Sequence, residues 1–181
     1  MKNKLKVALA LGVLASATMA MAETRLTASM WASPTHILTV QNFTNFTQSV
    51  ESASEGGIKF NLHIGGALLP ANGTLAGVEN GVADLGSVIG AYTPADLPFS
   101  NVLNDASLIV SNSMAAAFAL AELHFSNATL QEEWAKNGVV YGGAFSTPVY
   151  VFACVPDVRE AADLKGLKVR TAAGSHVDFM K

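Results

Sequence analysis

Asp163-Leu164-Lys165-Gly166-Leu167-Lys168-Val169-Arg170 is the stretch from which the rest of the chain can be read. Gly166 punctuates a loop, and Leu167, Val169 and Thr171 then alternate with Lys168 and Arg170, the period of a short strand. A strand of this kind delivers a guanidinium at its end. Arg holds a planar fork of donors that matches a carboxylate two for two, and it keeps its charge when partly desolvated. Spacing alone is equally met by an ordinary surface Arg, so the pattern names a candidate and not yet a role.

Upstream, the chain alternates strand and helix patterns. Leu26, Ala28 and Met30 alternate with Thr27, Ser29 and Trp31, predicting a strand that ends at Trp31. Ser33 suits an N-cap and Pro34 a first turn. Ile37, Val40, Phe43, Phe46 and Val50 follow at helical steps to Gly56-Gly57. Ile58, Phe60, Leu62 and Ile64 predict a second strand, with His63 on its polar face, stopped by Gly65-Gly66. A short helix carrying Leu75, Val78 and Val82 leads to a third strand over Asp84 to Ile89, then a loop with Tyr92 and Phe99. This alternation predicts an α/β fold with parallel pairing, whose ligand crevice lies beyond the carboxyl ends of the strands. Trp31 and the segment from Ile89 to Tyr92 are thereby placed at a plausible cleft.

Two helices are expected between Ser113 and Asn137, parted near Ser126-Asn127, with His124 as a packing or surface residue. Val139 to Phe145 reads as a strand whose Gly142-Gly143 turns out of one lobe. Val149 to Val155 reads as a buried strand, and Cys154 within it as a small core residue. Ser175-His176-Val177-Asp178 reads as a capping box with about one helical turn after it.

Composition narrows the function. Half of the 181 residues are hydrophobic, enough for a packed core. Lys2, Lys4 and Lys6, the apolar run Val7 to Leu14 and Ala20-Met21-Ala22 together read as a secretory signal peptide over residues 1–22. The remainder would carry eight basic and fourteen acidic residues, scattered, which is unlike a nucleic-acid binder. No later run of about 20 apolar residues could span a bilayer. The single Cys154 excludes an intramolecular disulfide and a cysteine-rich metal site. No G-x-S-x-G, H-E-x-x-H or phosphate-cradling P-loop is present, so no catalytic residue, metal site or cofactor is assigned.

The opening stretch resembles the D-L-K-G-L-K-hydrophobic-R signature of the solute-binding proteins of tripartite ATP-independent periplasmic (TRAP) transporters, the DctP-type family. Gly65-Gly66-Ala67-Leu68, Gly81-Val82-Ala83-Asp84-Leu85 and Asp96-Leu97-Pro98-Phe99 fit the same family in the same order, so the likeness covers about Arg25 to Lys181. It implies a two-lobed periplasmic-binding-protein-like fold: a first α/β lobe over residues 23–145, nearly complete, and the start of a second over 146–181, the chain of the family running on for roughly as many residues again. It implies a periplasmic protein that captures an organic carboxylate between its lobes and hands it to the membrane subunits of the transporter, without enzymatic activity.

In the family the Arg that ends the signature pairs with the ligand's carboxylate, a role that falls on Arg170. Several relatives carry another Arg one strand earlier, and counting back along the ungapped signature puts Tyr150 there. Trp31 and Ile89 stand where sugar-acid binders carry carboxylates or amides. The implied site, Arg170 with Tyr150, Trp31, Ile89 and Tyr92, has one strong cation and a largely apolar wall, which suits a monocarboxylate. The competing readings are a binding protein of an ATP-driven importer or sensor, and a secreted hydrolase.

Overall fold

The computed structural model describes residues 23–104, 110–147 and 150–180. The signal-peptide reading of residues 1–22 lies outside the described residues, as does Val149.

Strand β1 (Thr24–Met30) is the middle of a three-stranded parallel sheet of order β2-β1-β3, with β2 (Ile58–Ile64) on one side and β3 (Leu85–Gly86) on the other. Thr24 pairs with Ile58 and Met30 with Ile64, while Ala28 and Ser29 pair with Leu85 and Gly86. Burial rises along β1 until Ala28, Ser29 and Met30 are enclosed on both faces, as expected of a strand between parallel neighbours. Met30, Ala32, Leu38 and Phe43 form the core cluster with Ala28, and Trp31, Phe60, Ile64, Leu85 and Phe145 pack against it.

The crossover from β1 to β2 departs from the sequence reading. Leu38–Thr44 is wound as a π-helix and runs into the α-helix α1 (Asn45–Ala53). Hydrogen bonds from i to i+5 place more residues in each turn, so a face counted at 3.6 residues per turn drifts off the core. Leu38, Thr39, Phe43 and Thr47 are therefore buried, whereas Ile37, Val40 and Phe46 stand exposed. Ser33 does not cap the helix by its side chain. The His36 ring does that work, its Nδ1 accepting from the Leu38 amide at 3.2 Å. Gly56, at φ +82°, ends the connection in the left-handed region. Glu51 then ties α1 to β2, its carboxylate accepting from the Phe60 amide at 2.8 Å and the Lys59 ammonium at 3.2 Å. The Phe60 amide first, and Lys59 second, hold the Glu51 carboxyl below its usual range.

Two glycines let helix α2 (Thr74–Glu79) pack closely on its neighbours, Gly77 against Leu69 before the helix and Gly86 of β3 against Thr74. A Cβ at Gly77 would come within 2.3 Å of Leu69 Cδ2, and one at Gly86 within 2.4 Å of Thr74 Cγ2. The third strand is shorter than the expected Asp84 to Ile89. Asp84 pairs with β1 through its amide, which donates to Thr27 O at 2.8 Å, and through its carboxylate, which accepts from the Thr27 amide at 2.7 Å. Past Gly86 the chain leaves the sheet and makes a single 3₁₀ turn at Gly90–Tyr92.

Helix α3 (Pro98–Asn104) follows, then α4 (Ser113–Ser126) and α5 (Ala128–Lys136), the pair expected from the sequence. Asn127 both ends α4 and starts α5, its side chain accepting from the Leu130 amide at 3.2 Å. Met114 and Phe118 point to solvent on α4, and Ala116 and His124 face inward.

Beyond α5 three strand readings are corrected. Residues 139–145, 150–155 and 167–171 are outside any sheet, and Val151, Phe152 and Val155 are exposed, Val155 fully so. Strand propensity without a partner's ladder leaves backbone donors and acceptors to water, and among the described residues no strand lies alongside these. Cys154 is accordingly exposed and not a core residue. The last helix, α6 (Gly174–Phe179), starts after Ala173, so Ser175 lies inside its first turn and not at the cap position where the sequence pattern put it. Before it, Asp163 caps the 3₁₀ turn Ala161–Leu164, accepting from the amides of Arg159 at 2.9 Å and Glu160 at 3.1 Å, and those amides hold its carboxyl below the usual range. Among the described residues no helix is long and apolar enough to cross a membrane.

Candidate functional site

A cavity of about 780 Å³ flanks the edge strand β3. Its floor is the run from Leu85 to Tyr92 that leaves β3, one side is given by Phe43 and Phe46 from the first crossover, and Tyr150, Ala172, Ala173 and His176 close it from the later segment. Of the three strands only β3 lines it, with Gly81, Ala83 and Asp84 before that strand and Ser87 to Tyr92 after it.

Three of the five residues singled out in the sequence line this cavity: Ile89, Tyr92 and Tyr150. Trp31 stands behind the wall. Its indole Nε1 donates to Ser87 O at 3.0 Å and its ring meets Tyr92 edge to face at 5.7 Å, so it fixes the loop on which Ile89 and Tyr92 sit. Tyr150 meets the His176 imidazole edge on, with centroids 4.7 Å apart. Arg170 is exposed on an extended segment, two residues before the cavity-lining Ala172 and outside the lining itself.

The cavity also reaches a polar cluster that sequence reasoning missed. Glu133, on α5 and only 5% exposed, accepts from the Ser100 amide at 3.0 Å and the Ser100 hydroxyl at 2.6 Å, and also from the Phe99 amide. It thus satisfies orphan donors in the first turn of α3, where a negative charge is favoured. Trp134 Nε1 donates to Ser100 Oγ at 3.1 Å, and His124 Nε2 lies 3.1 Å from the same oxygen. His124 Nδ1 faces Leu120 O at 2.7 Å.

A serine, a histidine and a carboxylate are therefore together, but not in a nucleophile's order. The carboxylate grips the serine and the main chain, and the far nitrogen of the imidazole meets a carbonyl where a triad needs an acid. The cluster locks three helices to one another. Tyr141 seals it, stacked on His124 at 4.3 Å with the rings 11° from parallel, and burial pushes its phenol up to about 12. The one signal in the sequence was Glu133 lying three residues after the buried Leu130, which places an acid on the inner face of α5.

No protein-family model matches the chain. Solved structures do. A TRAP periplasmic solute-binding protein from Desulfovibrio salexigens, seen in an open complex with the C-terminus of a symmetry mate in its ligand-binding site, is 30% identical over 57% of this chain and 32% of its own, with a TM-score of 0.50. A TRAP solute-binding protein from Rhodoferax ferrireducens in complex with benzoate is 19% identical over 63% of this chain and 34% of its own, with a TM-score of 0.53. DctP6, an extracytoplasmic solute receptor from Bordetella pertussis binding pyroglutamic acid, is 21% identical over 64% of this chain and 36% of its own, with a TM-score of 0.51. The matched part spans about a third of the length of these proteins. They are solute-binding proteins and a solute receptor, and they bear out the likeness to the TRAP solute-binding family read from the sequence.

Proposed function

We propose that the protein is the extracytoplasmic solute-binding subunit of a TRAP-type secondary transporter, which captures an organic carboxylate between two lobes and delivers it to the membrane subunits. In this reading residues 1–22 are a signal peptide that directs the protein to the periplasm, residues 23–145 are the first lobe, and residues 146–181 open the second. The observation that carries it is the cavity that flanks β3 and takes in the run past that strand's carboxyl end, in a fold shared with solved TRAP solute-binding proteins.

The residues divide the work by chemistry. Ile89, Tyr92 and Tyr150 offer apolar and aromatic wall, with Trp31 bracing it, and Arg170 offers the carboxylate its fork of donors. A ligand that touches both sides favours the closed arrangement by the contacts it makes only there. Ligands with more than one charge or many hydroxyls would bury groups without partners against such a wall, each costing about 1 to 3 kcal/mol. A monocarboxylate with an apolar body avoids that cost, so this is the class assigned.

Calorimetric titration of the full-length protein with succinate, sialic acid, pyruvate and phenylpyruvate tests both parts. Phenylpyruvate is expected to bind tightest, and Arg170→Ala to weaken it by about 3 kcal/mol or more, which is over a hundredfold in affinity. Near-normal affinity in the variant removes Arg170 from the site. Tightest binding of succinate or sialic acid removes the monocarboxylate assignment and leaves the anchor standing.

A further inference from the structure

The cavity holds two imidazoles, and their surroundings differ. Both nitrogens of His124 are engaged, by Ser100 Oγ and Leu120 O, and its ring is covered by Tyr141. His176 is half-buried in the cavity wall, its ring held only by the edge-on contact with Tyr150, and among the described residues neither of its nitrogens has a hydrogen-bond partner. Small residues precede it. Ala172 and Ala173 line the same wall, and a Cβ built at Gly174 would meet nothing within 4 Å, so the residues leading to His176 are small and uncrowded.

From this contrast we infer that His176 is a specificity-determining residue, which hydrogen-bonds an oxygen on the carbon next to the ligand's carboxylate and so selects 2-oxo and 2-hydroxy acids over unsubstituted ones. The inference rests on the reading of the cavity as an organic-acid site. Arg170 lies outside the lining and His176 within it, six residues on along the same segment, so with the carboxylate held by Arg170 at the rim, as the proposed function has it, the neighbouring carbon is the part of the ligand offered to the imidazole. A site that offers a positioned donor rejects an analogue lacking the matching oxygen, because the donor is then desolvated without a partner. Tyr150, packed against the ring edge, keeps the imidazole in one orientation, which is what turns a donor into a discriminator.

The test uses three acids of one shape: phenylpyruvate, 3-phenyllactate and 3-phenylpropanoate, titrated calorimetrically into the full-length protein and its His176→Phe and His176→Gln variants. The wild type is expected to prefer the two oxygenated acids by about tenfold or more. His176→Phe keeps a ring against Tyr150 and should erase that preference while leaving 3-phenylpropanoate within about threefold, and His176→Gln, which retains a donor, should restore part of it. A preference that survives in His176→Phe overturns the inference, as does a parallel loss for all three acids. Binding of 3-phenylpropanoate without any preference overturns it and leaves the organic-acid reading intact. Failure of every acid to bind the wild type ends both. Imidazole ¹⁵N spectra of the wild type give a readout independent of the variants' folding: the His176 resonances should move on adding phenylpyruvate and stay with 3-phenylpropanoate, and equal movement with both counts against the assignment.

Discussion

Residues 58–64 and residues 150–155 are built from similar material and come to different ends. Ile58-Lys59-Phe60-Asn61-Leu62-His63-Ile64 alternates apolar and polar side chains and is paired along its whole length with β1. Tyr150-Val151-Phe152-Ala153-Cys154-Val155 is the more hydrophobic and the richer in β-formers, yet it lies open to solvent without a neighbouring strand. Propensity therefore does not rank the two. What separates them is supply: β1 stands within reach of residues 58–64 with a free row of donors and acceptors, and nothing among the described residues offers the same to residues 150–155. The same contrast holds for side chains. The three helices around Ser100 satisfy one another's polar groups, while the later segment holds its polar groups outward.

If that contrast is real, substitutions in the two regions must differ in cost. The largest loss is expected from Glu133→Ala, which strips an acceptor from the amides of Phe99 and Ser100 and from the Ser100 hydroxyl in a buried place. Urea denaturation should show about 3 kcal/mol or more of lost stability, and a loss below about 1 kcal/mol would mean the cluster does not hold the helices.

Tyr141 gives an intermediate, pH-dependent effect. Its folded-state value is raised from 10.0 to about 12, so its contribution is complete below pH 10 and is lost as pH rises from there through about 12. Tyr141→Phe should lose less stability across that alkaline window than the wild type does, measured by urea midpoints at stepped pH. Identical slopes would show that the phenol is wet. The smallest effect belongs to the other region: Val155→Ser, at a fully exposed position, should change stability by less than about 0.5 kcal/mol. A loss above about 1 kcal/mol would sharpen the comparison in the opposite sense, by showing that this valine is packed in solution.

These differences also explain what could be read from the residues in advance. β1, β2 and the α4–α5 pair were legible because each is specified locally, by alternation at Leu26, Ala28 and Met30 or by the Asn127 cap, and each has its partner among the described residues. The face of the first crossover was not. A repeat of three and four residues from Ile37 to Val50 assumes α-winding, and the π-wound stretch buries Leu38 and Thr39 in place of Ile37 and Val40. His124 was legible as a packing or surface residue, but its cluster with Ser100 and Glu133 was not, because the three come from three helices and share no spacing along the chain. At the cavity, Ile89, Tyr92 and Tyr150 were found by topology and by alignment to the signature, whereas His176 stood out only as part of a helix start and not as a binding residue. An uncommitted imidazole is recognised only once its neighbours are known.

The sheet order has a consequence for how the chain closes on itself. Because the central strand comes first, β1 pairs with residues 34 positions on at Ile58 and 57 positions on at Leu85, and never with its immediate continuation. Loop-closure entropy grows only with the logarithm of loop length, so the second pairing costs about 0.5 kcal/mol more than the first despite the longer detour. The slow event is the first meeting of Thr24–Met30 with Ile58–Ile64, which must hold a loop shut before any burial rewards it. Once that pair exists, β3 needs only to dock. A chain threaded across a membrane with its amino end leading would present β1 well before either partner has arrived, and the time that strand waits unpaired is set by how fast the next sixty residues emerge, not by its own preference for the extended state.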